Sequence, residues 1–318
     1  MKAVMFVVAC ALLLQANSAR AQETPTTATR LAAHRLAPQT PAELRALLTY
    51  KDRPLPIVSA HRGGPAVGLP ENCIATFEAT LEKSFALLEI DPRLTKDGEV
   101  VVLHDPSLDR TTTGTGLVAE HTWEQLKELR LKDTLGKVTD YSIPTLDQAI
   151  EWARGKTVLI LDQKDTPLAT RIKKITDHRA ESYVLMIVGK LEEVQTCYRL
   201  NPQIMMEVYM GDRDKFEQFA QSGVPWQNIV AFVGHTPPED QELLRMIHAK
   251  GALCIAGTSR NIDLELNEHD GQANAEIEVR YRRLLNLGID IIETDLPRQV
   301  GPLLYASQLG SDQREDSK

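Results

Sequence analysis

Nine short apolar runs punctuate the chain: Ile57–Ala60, Ala86–Ile90, Val100–Leu103, Val158–Leu161, Tyr183–Val188, Ile204–Val208, Ile229–Val233, Leu253–Ala256 and Ile289–Ile292, with amphipathic stretches between them. Runs that stay apolar at every position suit strands buried on both faces, as in a parallel sheet covered by helices. Strand alternating with helix predicts βαβ units, and 318 residues suffice for one α/β domain. The expected fold is a (β/α)8 TIM barrel. Closure takes eight strands, so one of the nine candidates must be accessory, and Ile204–Val208 or Ile229–Val233 is the expected one. The stretch from Asp105 to Gly155 exceeds what a crossover helix needs, which predicts a loop insertion after the third strand.

The chain begins Met1-Lys2, continues apolar from Ala3 to Leu14 and then reads Ala19-Arg20-Ala21. That is the order of a secretory signal, with cleavage expected after Ala21. The apolar run is shorter than the ~20 residues that span a bilayer, so no stable membrane anchor is expected and the mature protein should be periplasmic or secreted. Residues 22–54 read as a lead-in with a short helix from Pro41 capped by Thr40, residues 55–305 as the barrel, and 306–318 as a polar tail. Cleavage removes Lys2 and Arg20 but no acid, taking the net charge from −8 to −10. An acidic chain is a poor partner for nucleic acid or anionic membrane, so neither is expected. Cys73, Cys197 and Cys254 remain, too widely spaced for a zinc motif.

Polar residues fall at the ends of the first four apolar runs: His61-Arg62, Glu89-Ile90-Asp91, His104-Asp105 and Asp162-Gln163-Lys164. In a parallel barrel the C-terminal strand ends converge on one face, where these groups would meet. A period of two puts Glu89 and Asp91 on the same side of their strand, within reach of one cation. Carboxylate oxygens without thiolate favour a hard ion, Mg²⁺ or Ca²⁺.

His61-Arg62-Gly63, Pro70-Glu71-Asn72, Glu89-x-Asp91, Asp97-Gly98, His104-Asp105, Asp109-Arg110-Thr111-Thr112 and Ile143-Pro144-Thr145-Leu146 follow one another in this order. The series resembles the signature of glycerophosphodiester phosphodiesterases, densely from Pro56 to Lys164 and again at Gly288–Pro297. The resemblance implies one divalent cation bound by Glu89 and Asp91, with Glu71 or the strand-four carboxylate Asp162. It also implies His61 and His104 as general acid and base, and Arg62 and Lys164 on the phosphate of a small-molecule diester. A phosphodiester transition state gathers charge on its oxygens and needs two proton transfers, which these residue types supply.

The sequence departs from the family in places. Asp162 stands where Glu is usual, Ala256–Asn261 replaces a Trp-Thr-Val-Asn-like stretch, and Glu207 and Glu293 add carboxylates to late strands. A more acidic pocket should suit a polyol or sugar diester. His34, His121, His178, His235, His248 and His269 lack a partnered motif and are expected mostly at the surface. Two rival functions are weaker. A lyase that stops at a cyclic phosphate and attacks intact lipid needs an apolar or basic docking rim, and aromatics make up only 5% of this acidic chain. A periplasmic anion-binding protein has no use for two proton-transfer histidines.

Overall fold

In the computed structural model, residues 34–51, 56–236, 240–268 and 273–305 are described. The expected signal sequence and the polar tail from 306 lie outside them. Eight parallel strands close in the order β1 (Ile57–Ala60), β10 (Ile291–Thr294), β9 (Cys254–Gly257), β8 (Ile229–Phe232), β7 (Met205–Tyr209), β6 (Val184–Val188), β5 (Leu159–Leu161) and β2 (Ala86–Ile90). Both Ile204–Val208 and Ile229–Val233 therefore supply barrel strands, against expectation. The accessory run is Val100–Leu103. Its Val100–Val102 forms β4, which pairs antiparallel with β3 (Pro92–Leu94) outside the barrel.

Chain length explains this. A parallel crossover takes a dozen or more residues, and nine separate Ile90 from Val100. The chain instead reverses at Lys96-Asp97-Gly98, where Gly98 takes φ +84° and Thr95 Oγ1 donates to Asp97 Oδ1 at 2.6 Å. The insertion follows β4 as the sequence predicts, with a helical turn at Trp123–Leu126 (α3), and packs over its own core of Val101, Leu108, Leu126 and Leu131.

Strand parity builds the barrel interior. Ile57, Leu87, Val158, Ile160, Leu185, Met205, Val230, Leu253, Ile255 and Ile291 form one buried apolar cluster. The residues two places further on, nearer the C-terminal ends, are Ser59, Glu89, Asp162, Ile187, Glu207, Phe232, Gly257 and Glu293. The lumen thus changes from apolar floor to polar mouth within one layer. Helix α1 (Pro41–Leu47) joins the floor through the fully buried Leu44, beside Leu48 and Leu36. Thr40 caps it by accepting from the Glu43 N–H at 3.2 Å, as the sequence predicts.

Outside the staves pack α2 (Ile74–Leu81), α4 (Leu146–Ala153), α5 (Leu168–Asp177), α6 (Leu191–Leu200), α7 (Arg213–Ala220), α8 (Gln241–Ala249), α9 (Ile262–Glu268) and α10 (Ala275–Leu287). Their apolar stripes bury against the outward strand residues, which fixes the staves and hence the spacing of the mouth.

Candidate active site

The register brings the first barrel carboxylates together. Ile90 pairs with Leu161, so Asp91 and Asp162 leave neighbouring strands side by side. Glu89, Asp91 and Asp162 each offer an oxygen within 4.8 Å of the other two. Glu89 and Asp91 are buried and Asp162 is partly so. Burial pushes the Glu89 carboxyl well up, and the charges of Asp91 and Asp162 add to this. Burial also pushes Asp162 up, but the Lys164 ammonium overrides it and holds that carboxyl low. Lys164 Nζ lies 2.5 Å from Asp162 Oδ2 and 3.1 Å from Asp91 Oδ1. An all-oxygen donor set whose members repel one another fits a hard divalent cation, which would relieve that repulsion.

Two neighbours orient this group. Asn72, in the left-handed region at φ +55°, donates from Nδ2 to Asp91 Oδ2 at 2.6 Å and accepts the Asp91 N–H at 3.2 Å. Arg62, also left-handed at φ +53°, aims its backbone N–H at Glu89 Oε2, 2.8 Å away. The following Gly63 has to be glycine, because a Cβ there would stand 2.3 Å from the Phe77 ring.

Glu71 departs from its expected place. The carboxylate stands outside the group of three, taken up by Arg110 through paired bonds of 2.8 and 2.9 Å and by Arg62 Nη1 at 3.2 Å. Burial pushes Glu71 up, but these guanidinium groups override it and hold it low, so it serves as an anchor for arginine here. Arg110 continues to Asp105 at 2.6 and 2.9 Å, and Asp105 Oδ1 holds His104 Nδ1 at 2.7 Å. The partners of Arg110 are thus Glu71 and Asp105 rather than the adjacent Asp109. Arg62 Nε is buried without a partner, a donor left for an anion.

His61 Nδ1 lies 2.6 Å from Asp295 Oδ1, and Asp295 is itself placed by its N–H donating to Asp263 Oδ2 at 2.8 Å. An aspartate on Nδ1 fixes the tautomer of both histidines and leaves Nε2 for chemistry. Their environments push them apart. Burial lowers His61, but the Asp295 hydrogen bond and the charges of Glu293 and Asp295 win and raise it. Burial lowers His104, and the Asp105 bond does not restore it. A cavity of about 600 Å³ opens beside His61, lined by Arg62, Val67, Glu71, Leu135 and Asp295.

Residues 61–299 match the glycerophosphoryl diester phosphodiesterase family. The chain belongs to this family. A crystal structure of such an enzyme from Parabacteroides distasonis superposes with a TM-score of 0.80 at 40% identity, covering 86% of this chain and 94% of that one. A Bacillus subtilis glycerophosphodiester phosphodiesterase is 37% identical over 262 residues, 75% of this chain and 83% of its own. Some matches are shorter: the chain spans 43% of a Caldanaerobacter subterraneus glycerophosphodiester phosphodiesterase, at 41% identity over 105 residues, which are 33% of this chain.

All five histidines expected at the surface that lie among the described residues are partnered or enclosed: His34 packs against the rings of Phe85 and Tyr305, and His121 Nδ1 lies 2.8 Å from the Leu117 carbonyl oxygen. His178 pairs with Asp147 at 2.9 Å and His248 with Asp290 at 2.8 Å, while His269 lies outside the described residues. His235 stands at the barrel mouth, where its Nδ1 is buried without a partner and burial, with the charges of Arg260 and His61, lowers its pKa. Strand parity in Met205–Glu207 and Ile291–Glu293 would have placed both of those glutamates in the lumen; nothing comparable marks His235.

Proposed function

We propose that the chain hydrolyses glycerophosphodiesters, or a related polyol or sugar phosphodiester, to a phosphomonoester and an alcohol. One observation carries this reading within the family: two histidines, each oriented by an aspartate at Nδ1, are pushed to opposite sides of their ordinary pKa beside a carboxylate trio. Groups driven apart in this way divide into acid and base. Glu89, Asp91 and Asp162 would hold a hard divalent cation, Mg²⁺ or Ca²⁺, which when bound supplies positive charge to the phosphoryl oxygens.

The remaining steps belong to the chain's own side chains. His104, neutral, accepts at Nε2 the proton of the attacking hydroxyl, either water or a hydroxyl of the substrate, as its oxygen bonds to phosphorus. His61, protonated, gives its Nε2 proton to the alcohol oxygen as the other P–O bond breaks. Arg62 and Lys164 donate to the non-bridging oxygens, and the Glu71–Arg110–Asp105 chain keeps Arg62 and His104 in place. Export rests on residues 1–21, whose order of basic start, apolar run and small-x-small site supports it.

Val67 and Leu135 are 66% and 74% exposed beside the His61 cavity, which favours a second reading, a lyase acting on intact lipid. Mass spectrometry of products separates the two, since hydrolysis yields a phosphomonoester and the lyase a cyclic phosphate. With glycerophosphodiesters and Mg²⁺ or Ca²⁺ present, the monoester should accumulate. His61→Ala and His104→Ala should each lower kcat by roughly 10²–10⁴-fold with the fold retained. Near wild-type kcat in both variants would remove the acid and base assignment.

A further inference from the structure

The half of the mouth formed by β7, β8, β9 and β10 carries polar groups that the proposed hydrolysis does not use. Glu207 lies on β7, His235 follows β8, and Glu293 lies on β10, with Gly257 of β9 between the last two strands. Parity turns Glu207 and Glu293 into the lumen. Glu207 is 3% exposed and its Oε2 has no partner, and His235 Nδ1 is likewise buried and unpartnered. A buried polar atom left unpaired costs about 1–3 kcal/mol, so each of the two calls for a partner that a ligand can supply.

Gly257 shows that His235 and Glu293 converge. A Cβ at that position would lie 2.2 Å from His235 Nδ1 and 3.2 Å from Glu293 Oε1. The missing side chain is what lets the imidazole lean over β9 towards the glutamate. Asn261, in the stretch that departs from the family, holds this arrangement by donating to the His235 carbonyl at 2.6 Å. Glu207 is close enough to Glu293 and Asp162 to feel both charges.

We propose that Glu207, His235 and Glu293 form a subsite that reads hydroxyl groups on a polyol or sugar portion of the diester, a deepening that rests on the phosphodiesterase reading. Burial pushes Glu207 and Glu293 up and His235 down. Carboxyl and imidazole groups together offer both donors and acceptors, which is what a hydroxyl requires. A site built to bond hydroxyls also rejects analogues lacking them, because its buried groups then stay unpaired.

The test compares glycerophosphoinositol, glycerophosphocholine and bis(4-nitrophenyl) phosphate, the last with no hydroxyl, in wild type, Glu207→Gln, His235→Ala and Gly257→Ala. Circular dichroism and thermal melts identify any variant that fails to fold, and the isosteric Glu207→Gln is the one expected to fold in every case. Wild type should favour the inositol diester in kcat/KM, and each folded variant should reduce its ratio to both other substrates by about ten- to a hundredfold, as loss of a buried polar contact implies. Ratios within twofold of wild type in every folded variant, or a wild-type preference for glycerophosphocholine, would overturn the subsite. If wild type turns over none of the three, the phosphodiesterase reading falls. Calorimetric binding of glycerophosphoinositol against glycerophosphocholine then decides the subsite by the same ratios.

Discussion

Asn72 grips Asp91 from two sides, donating to its carboxylate at 2.6 Å and accepting its backbone N–H at 3.2 Å. Neither residue is exposed, so the pair sets where one of the three candidate ligand oxygens stands. Asn72→Ala removes both bonds and places alanine at φ +55°, where asparagine is better tolerated. The cation concentration giving half-maximal rate should rise roughly 10–100-fold, the usual effect of losing a partner that orients a ligand. An unchanged cation requirement would show that Asn72 has no hold on the site.

The two histidines predict a bell-shaped pH dependence of kcat/KM. His104 acts when neutral and lies below the ordinary 6.5, so the rate rises as pH climbs through its value. His61 acts when protonated and lies above 6.5, so the rate falls as pH passes through its value. The maximum should therefore bracket 6.5. Asp295→Asn removes the charge that raises His61 and leaves only a weaker, neutral acceptor at Nδ1, so the alkaline limb should move to lower pH and narrow the bell. Asp105→Asn lowers His104 further, so the acid limb should move down and widen it. A bell that narrows in both variants, or widens in both, would contradict the assignment.

Stability and chemistry should separate at the barrel floor. Leu44 is fully buried among Leu48, Ile57 and Leu253, at the end of the lumen away from the mouth. Leu44→Ala should cost about 2–5 kcal/mol in unfolding free energy, measured by urea denaturation, through lost burial and the cavity left behind. KM at temperatures well below the melt should stay at the wild-type value. A large rise in KM would mean that helix α1 reaches the site's geometry.

Much of the catalytic half is legible in the sequence because strand ends and period-two parity translate directly into place: His61, Glu89, Asp91 and Asp162 converge as those rules imply. Val100–Val102 misleads because three buried valines look alike in a barrel strand and in a hairpin, and only the nine-residue spacing from Ile90 separates the two. Glu71 misleads for another reason. A sequence displays a carboxylate's charge but not its partner, and Arg110 comes to it from 39 residues away. His235 carries no local signal at all, since its position depends on a glycine in the next strand and on Asn261 beyond it.

Turnover is proposed to depend on a divalent cation held by Glu89, Asp91 and Asp162. The most direct test of this dependence is the initial rate of glycerophosphodiester hydrolysis by EDTA-stripped protein as Mg²⁺ or Ca²⁺ is titrated back, in wild type and in Asp91→Asn. Wild type should be inactive when stripped and recover along a saturating curve, more readily at pH 8 than at pH 5 because protons compete with the cation for carboxylates. Asp91→Asn should fail to recover over the same range. Full turnover after exhaustive chelation, or equal recovery in Asp91→Asn, would contradict it.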